Sequence, residues 1–339
     1  MNSGFTEWSR FADPPGSRWF STETPGGHEA IGGFCWYGSR LPFMKLLFVH
    51  AHFDDFEFTA AGTFELWRRC GDEGLRRRVL VCTDGAAGHH RMSREETAIR
   101  RLREQETAAA LGGFEFRLLK DAEGQPFREG RLHARPSFLP ALWREIRAFE
   151  PDYLFCPPIP SDVLAGVHVD HLDVAHGVRS VAYMLNVPRA FEPEYPPEPG
   201  EPVAVRTPVI LNTYDGYMAG GHGHDLAVDV STVVDFAAEL AWCHESQLKE
   251  WLPWVDRHNL RAPASLEAWK PQFREVLSRR KNALGIQTPG IFEVFSVTAW
   301  GVVPTLANLI RDLPGLSREA SRLDRLAARL DGWQAGAGE

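Results

Sequence analysis

Two four-residue clusters hold most of the chemistry that can be read from this chain: His52-Phe53-Asp54-Asp55 and His168-Val169-Asp170-His171. Each follows a short apolar run with the character of a buried strand. Each also supplies more imidazole and carboxylate than a solvated loop needs. A lone loop histidine usually satisfies a local hydrogen bond, but here three such groups fall in each cluster. Two histidines and one carboxylate around a metal with an open position form a common hydrolytic zinc arrangement. The clusters contain that set, with carboxylate and imidazole left over for proton transfer. The chain therefore reads as a metal-dependent hydrolase with Zn2+ as cofactor. Fe2+ also suits such a donor set in an oxygenase, but the strand and helix alternation and the second cluster favour hydrolysis.

The elements that must position these groups begin at Lys45. Runs 45–50 (KLLFVH), 78–83 (RVLVCT), 114–119, 152–156 (DYLFC) and 209–213 read as strands. Helical segments lie between them: 59–70, a helix opened by the capping-box pair Ser93 and Glu96 and ending at Gly112-Gly113, 138–149, and 171–185. This alternation predicts an α/β fold, a Rossmann-like and mostly parallel sheet with helices on both faces. Both clusters then emerge at the C-terminal edge of the sheet, where open α/β folds bind ligands. Further on, Thr232 with Asp235 predicts the start of a long helix running to about Trp251. Leucines at helical spacing predict another helix from Leu316 to Leu330. The expected division is an N-terminal extension over 1–43 packed on the domain, a catalytic domain over 44–302 and a helical tail over 303–339.

Bulk composition narrows the partners. The 339 residues are 44% hydrophobic and 24% charged, an ordinary globular balance, and the net charge of −8 argues against nucleic acid or an anionic membrane. No apolar run approaches the roughly 20 residues of a membrane span. The N-terminus shows no secretory pattern. Five scattered cysteines form no CxxC pair, which suits a reducing compartment and a cytoplasmic location. The expected partner is a small molecule, and the sequence is compatible with a homo-oligomer.

Beyond the clusters, the chain resembles the PIG-L/LmbE family of zinc-dependent de-N-acetylases, whose signatures are A-H-P-D-D and H-P-D-H. Here they stand as Ala51-His52-Phe53-Asp54-Asp55 and His168-Val169-Asp170-His171. Further matches are Glu57, Gly62-Thr63, Thr83-Asp84-Gly85 with Gly88, Arg103 with Glu106 and Leu111-Gly112, His244 with Ser246-Gln247, and Phe292–Phe295. The resemblance spans about 44–297. It implies zinc ligands His52, Asp55 and His171, with Asp54 as the general base. It makes His168 the group that stabilises the oxyanion and protonates the amine, and Asp170 the group that orients a neighbouring imidazole. The implied substrate is an amino sugar of the N-acetylglucosamine type. A zinc amidase for non-sugar acylamines, or a sugar-binding protein without catalysis, would use the same scaffold.

Two departures stand out: Phe53 and Val169 occupy positions where the family has proline, so the ligand turns lose a φ restraint. Among secondary candidates, Arg103 could hold a substrate hydroxyl or phosphate. His244 is balanced between substrate contact and a buried structural role. His89, His90, His222 and His224 sit in Gly-rich loops that could rim a pocket. Trp251 and Trp254 could stack on a sugar, although core packing is the commoner fate of such residues.

Overall fold

Strand β1 (Lys45–His50) alternates its side chains between two cores. Leu46 and Phe48 join one buried cluster, while Leu47 and Val49 join another on the opposite face. The same division runs through β2 (Arg76–Val81) and β4 (Tyr153–Cys156). A strand buried on both faces reads as a continuous apolar run, which is why the sequence marked these segments so clearly. The computed structural model describes residues 44–71, 74–196, 200, 204–255 and 260–336. The expected 1–43 extension lies outside them.

The described residues form a seven-stranded sheet in the order β3-β2-β1-β4-β5-β7-β6, with β3 Glu115–Leu118, β5 Val209–Thr213, β6 Leu226–Asp229 and β7 Phe292–Val297. Strands β1 to β5 are parallel, and β7 runs antiparallel to both β5 and β6. The fold is thus α/β and mostly parallel. Helices α4 (Phe138–Phe149) and α5 (Val169–Met184) cover one face. The other carries α1 (Asp55–Thr59), α2 (Ala61–Cys70), α3 (Arg94–Gly112), α6 (Val234–Trp242), the short α7 (Leu252–Val255), α8 (Leu266–Ala283), α9 (Leu306–Asp312) and α10 (Leu323–Gly336). No helix among the described residues is long and apolar enough to cross a membrane.

Several expectations need correction. Strand β6 is only four residues long, and α8 buries just Trp269, Phe273 and Leu277 on a charged helix, so neither showed in the sequence pattern. Helix α6 begins at Val234 without the Thr232 cap and stops at Trp242. A π-helical turn, Ser246–Trp251, follows because the Ser246 amide turns to the Glu104 carboxylate at 2.8 Å. The leucine-rich tail is not helical from 316. Gly315 takes a left-handed φ of 75°, and backbone bonds from Asp229 to Gly315 and from Ser317 to Ala227 attach this segment to the edge of β6. Cys82, Cys156 and Cys243 are free thiols.

One long-range contact locks the first helices onto the far side of the sheet. Helix α2 starts without a side-chain cap of its own. Its orphan donors are met by Glu293 of β7, which accepts from Gly62 N (2.8 Å), Thr63 N (2.7 Å) and Thr63 Oγ1 (2.6 Å). A carboxylate at a helix N-terminus is favoured by the helix dipole as well as by the hydrogen bonds. Glu293→Ala should lose about 2–4 kcal/mol of unfolding free energy, because buried donors are left unpaired. Urea unfolding of the variant beside wild type checks this.

Candidate active site

The parallel order β3-β2-β1-β4-β5 reverses its direction of chain progression between β1 and β4, and an α/β crevice opens at such a switch point. His52 to Asp55 leave the end of β1, while His168 to His171 open α5 beyond β4. The loop after β2 supplies Gly85 and Gly88, the segment after β3 supplies Glu129, and the loop after β5 supplies Asp215 and Tyr217. The ends of β1, β3, β4 and β5 thus deliver polar side chains to one edge, and the glycine loop after β2 leaves room beside them.

The turn after β1 is tight. Asp54 adopts φ 82°, a left-handed conformation uncommon for a residue with a side chain. Arg101 of α3 holds it there, donating through Nη2 to the Phe53 carbonyl (2.5 Å) and to Asp54 Oδ1 (3.0 Å). Phe53 takes over the task of the missing proline by packing. Its ring is fully buried against Phe116 and lies beneath the Arg101 guanidinium. Gly85, at φ 61°, must be glycine, since a Cβ there would stand 2.6 Å from the Phe53 ring. Val169, the other replacement, is the first residue of α5. That helix is capped by the His168 side chain, which accepts from Asp170 N at 3.2 Å.

Around the centre, hydrogen bonds fix which ring nitrogens face inward. His52 Nε2 meets Asp170 Oδ2 at 3.2 Å, and His171 Nδ1 meets Asp215 Oδ2 at 2.9 Å. Each carboxylate fixes the proton on the nitrogen it touches. The remaining nitrogens, His52 Nδ1 and His171 Nε2, then face each other across 3.1 Å, a contact that a shared proton or a bound cation bridges. The Asp55 carboxylate completes the triangle, 3.6 Å from His52 Nδ1 and 3.5 Å from His171 Nε2. Ligands of a tetrahedral zinc at 2.0–2.1 Å stand about 3.3 Å apart. Two converging ring nitrogens with an adjacent carboxylate attract positive charge, a proton or a metal ion, and the donor set fits a divalent metal. His168 lies within reach of the same point, as do His50 and Glu129 on its margins.

The electrostatics are those of a crowded acid–base cluster. Burial depresses His52, yet Asp170, Asp55 and Glu129 outweigh it and hold the imidazole well above its usual range. Burial raises Asp55, but His50 and His171 bring it well below the carboxylate norm. Asp215 is likewise held at about 2, with His171 overcoming burial. Asp54 goes the other way: burial and the neighbouring Asp55 charge lift it to about 6 despite Arg101. His168 is pushed down to about 4 by burial and by the His52 and His171 charges. With its Nδ1 accepting from Asp170 N, a neutral His168 carries its proton on Nε2.

Residues 47–182 match the family model of PIG-L, described as GlcNAc-PI de-N-acetylase. This segment is similar to the PIG-L family over its whole length. Its fold is similar to that of N,N'-diacetylchitobiose deacetylase from Pyrococcus horikoshii, with TM-score 0.53 and 19% identity over 76% of this chain and 84% of that one. It is also similar to a conserved protein from Thermus thermophilus, with TM-score 0.51 and 23% identity over 75% and 94% of the two chains. A comparison with curated protein sequences gives no match.

Within this segment the structure gathers His52, Asp54, Asp55, His168, Asp170 and His171 into one crevice. Arg103 is not with them. It lies on the exposed face of α3, whereas Arg101, two residues earlier and about 200° around the helix, is buried against Asp54. The R-x-x-E pattern occurs in both frames, 101–104 and 103–106, and burial selects the first. His244 makes no surface for substrate: it is fully buried, 3.4 Å from Glu57, which also accepts from Gln105 at 3.0 Å. Gln247 donates to the Gly88 carbonyl, and Ser246 to Glu104. These positions brace α1, α3 and the π-helical turn behind Asp54. His222 and His224 are taken up by backbone carbonyls, while His89 accepts from the Arg91 and Met92 amides. Trp251 is half-buried, and Trp254 is 58% exposed and stacked on His90. Glu129, Asp215, Tyr217 and Arg101 were missed, although Asp215-Gly216 at the end of an apolar strand was a usable signal.

Two measurements follow. Arg101→Ala should cost about 3 kcal/mol by leaving the buried Asp54 carboxylate without its partner, while Arg103→Ala should change unfolding free energy by less than about 0.5 kcal/mol. Denaturant titrations of both variants decide the frame. Asp215→Ala should weaken zinc binding about 10- to 100-fold by freeing the His171 tautomer, as read by competition against a chromophoric chelator.

Proposed function

We propose that this protein is a metal-dependent amide hydrolase that removes an acyl group from the nitrogen of an amino sugar. The observation that carries this reading is the opposed pair His52 Nδ1 and His171 Nε2, 3.1 Å apart, with Asp55 beside them and Asp54 adjacent. His52, His171 and Asp55 would hold the ion, and zinc is the first candidate. When bound, it would supply Lewis-acid activation of water and of the amide carbonyl.

The chain's own groups divide the remaining work. Asp54, set in its strained turn and anchored through one oxygen by Arg101, takes the proton of the attacking water. His168 holds a proton at Nε2 facing the crevice. It stabilises the tetrahedral oxygen, and the proton that Asp54 takes from water replaces the one it passes to the departing amine, so the ring ends neutral. Asp170 and Asp215 keep the two metal-facing imidazoles in their working tautomers. Tyr217 packs edge-on against His168 and His171 and narrows the crevice around the reacting carbon. The sugar assignment draws on the PIG-L family match and on the likeness to the chitobiose deacetylase fold.

The test is amine release from a panel of N-acetylglucosamine glycosides and N-acetyl amino acids by the zinc-loaded chain. Turnover of a glycoside should fall about 10²- to 10⁴-fold in Asp54→Asn, and a chelator should abolish it with recovery on adding zinc. Equal turnover in the chelated protein would end the metal-hydrolase reading, and preference for acyl amino acids would end the sugar assignment.

A further inference from the structure

The crevice has a second compartment that the mechanism leaves unused. From Asp54, Asp55 and His171 a narrow pocket runs between α1 and α8, flanked by Phe58, Leu252, Leu260 and Val276. Neither His52 nor His168 lines it. It therefore opens on the side of the base, away from the group that protonates the amine. An amide lying across the centre with its nitrogen towards His168 must send its acyl chain into this pocket.

Arg280 also lines the pocket. One guanidinium nitrogen donates to the Phe58 carbonyl, and the group lies 5.1 Å over the Tyr214 ring. Among the described residues no carboxylate forms an ion pair with it. Asp215 is engaged by His171, and Glu293 by the start of α2. Burial holds the guanidinium below its usual range. The guanidinium is half-buried, and Glu293 and Asp215 act on it only through space, so a ligand carboxylate reaching the pocket would meet a cation that no carboxylate pairs directly. An acetyl group needs neither the apolar flanks nor a cation beyond them.

Resting on the amide-hydrolase reading above, we propose that the acyl group taken here is a short carboxyacyl chain whose terminal carboxylate pairs with Arg280. Water adds to the amide carbonyl and the C–N bond breaks. The released dicarboxylate keeps the water oxygen, and the amine leaves with the proton.

N-acetyl-, N-butyryl- and N-succinyl-glucosamine, offered to the zinc-loaded full chain, provide the test. Butyryl has the succinyl chain length without the charge. The expected result is a kcat/KM for succinyl at least about tenfold above butyryl, because a half-buried charged donor in an apolar pocket discriminates against a substrate that leaves it unpaired. Arg280→Met should remove that preference, and Arg280→Lys should retain part of it. Succinate should raise the melting temperature of wild type more than butyrate does, and Arg280→Met should lose the difference. Butyryl turnover equal to succinyl, or a uniform loss on all three substrates in Arg280→Met, would overturn the proposal. Release from none of the three would instead overturn the hydrolase reading. The succinate-against-butyrate melting shift then decides the pocket on its own.

Discussion

The constraint on which this site depends is the convergence of two imidazole nitrogens. His52 Nδ1 and His171 Nε2 come within 3.1 Å because Asp170 and Asp215 grip the opposite nitrogens. Such a pair has to share a proton or a cation, and the carboxylate alongside makes the space between them a site for positive charge. Both carboxylates are themselves fixed by backbone amides: Gly130 N donates to Asp170 and Tyr217 N to Asp215. The rigidity of the centre thus comes from main-chain geometry several contacts away.

Much of the rest of the fold can be understood as support for that arrangement. Asp54 sits at φ 82°, and a strained residue persists only where its surroundings over-determine it. Here the determinants are Arg101 from α3, the buried Phe53 ring and the glycine turn after β2. Behind them, Gln105, Glu57 and His244 form a buried polar layer that ties α1 to α3 and to the end of α6. The tail helices close the far side through Asp312, which receives Trp67 Nε1 on its carbonyl and Tyr153 Oη on its carboxylate. Each of these contacts pairs a buried polar group whose isolation would be costly.

The two lost prolines show how packing substitutes for covalent restraint. Proline fixes φ directly. Phe53 achieves a comparable restriction by filling a space bounded by Phe116, Arg101 and Gly85. Val169 needs no such help, because it opens a helix already capped by His168.

The sequence by itself determined the strands β1 to β5, the helices between them and the six residues of the two clusters. Their apolar runs and ligand-type side chains are local signals, and parallel strands place every following loop at one edge. Burial and sequence spacing are coupled less directly for the rest. The R-x-x-E pattern appears in two frames, and only packing of α3 shows that Arg101 and not Arg103 faces Asp54. Asp215 and Glu129 are single acids in loops, indistinguishable from solvated ones until the sheet sets them against His171 and His52. The break after α6 arises from a competing hydrogen bond to Glu104, 142 residues away. Glu293 caps a helix that precedes it by 230 residues. Such contacts are decided by tertiary structure because the two partners meet only when the sheet is complete, and no local pattern in the chain records the meeting.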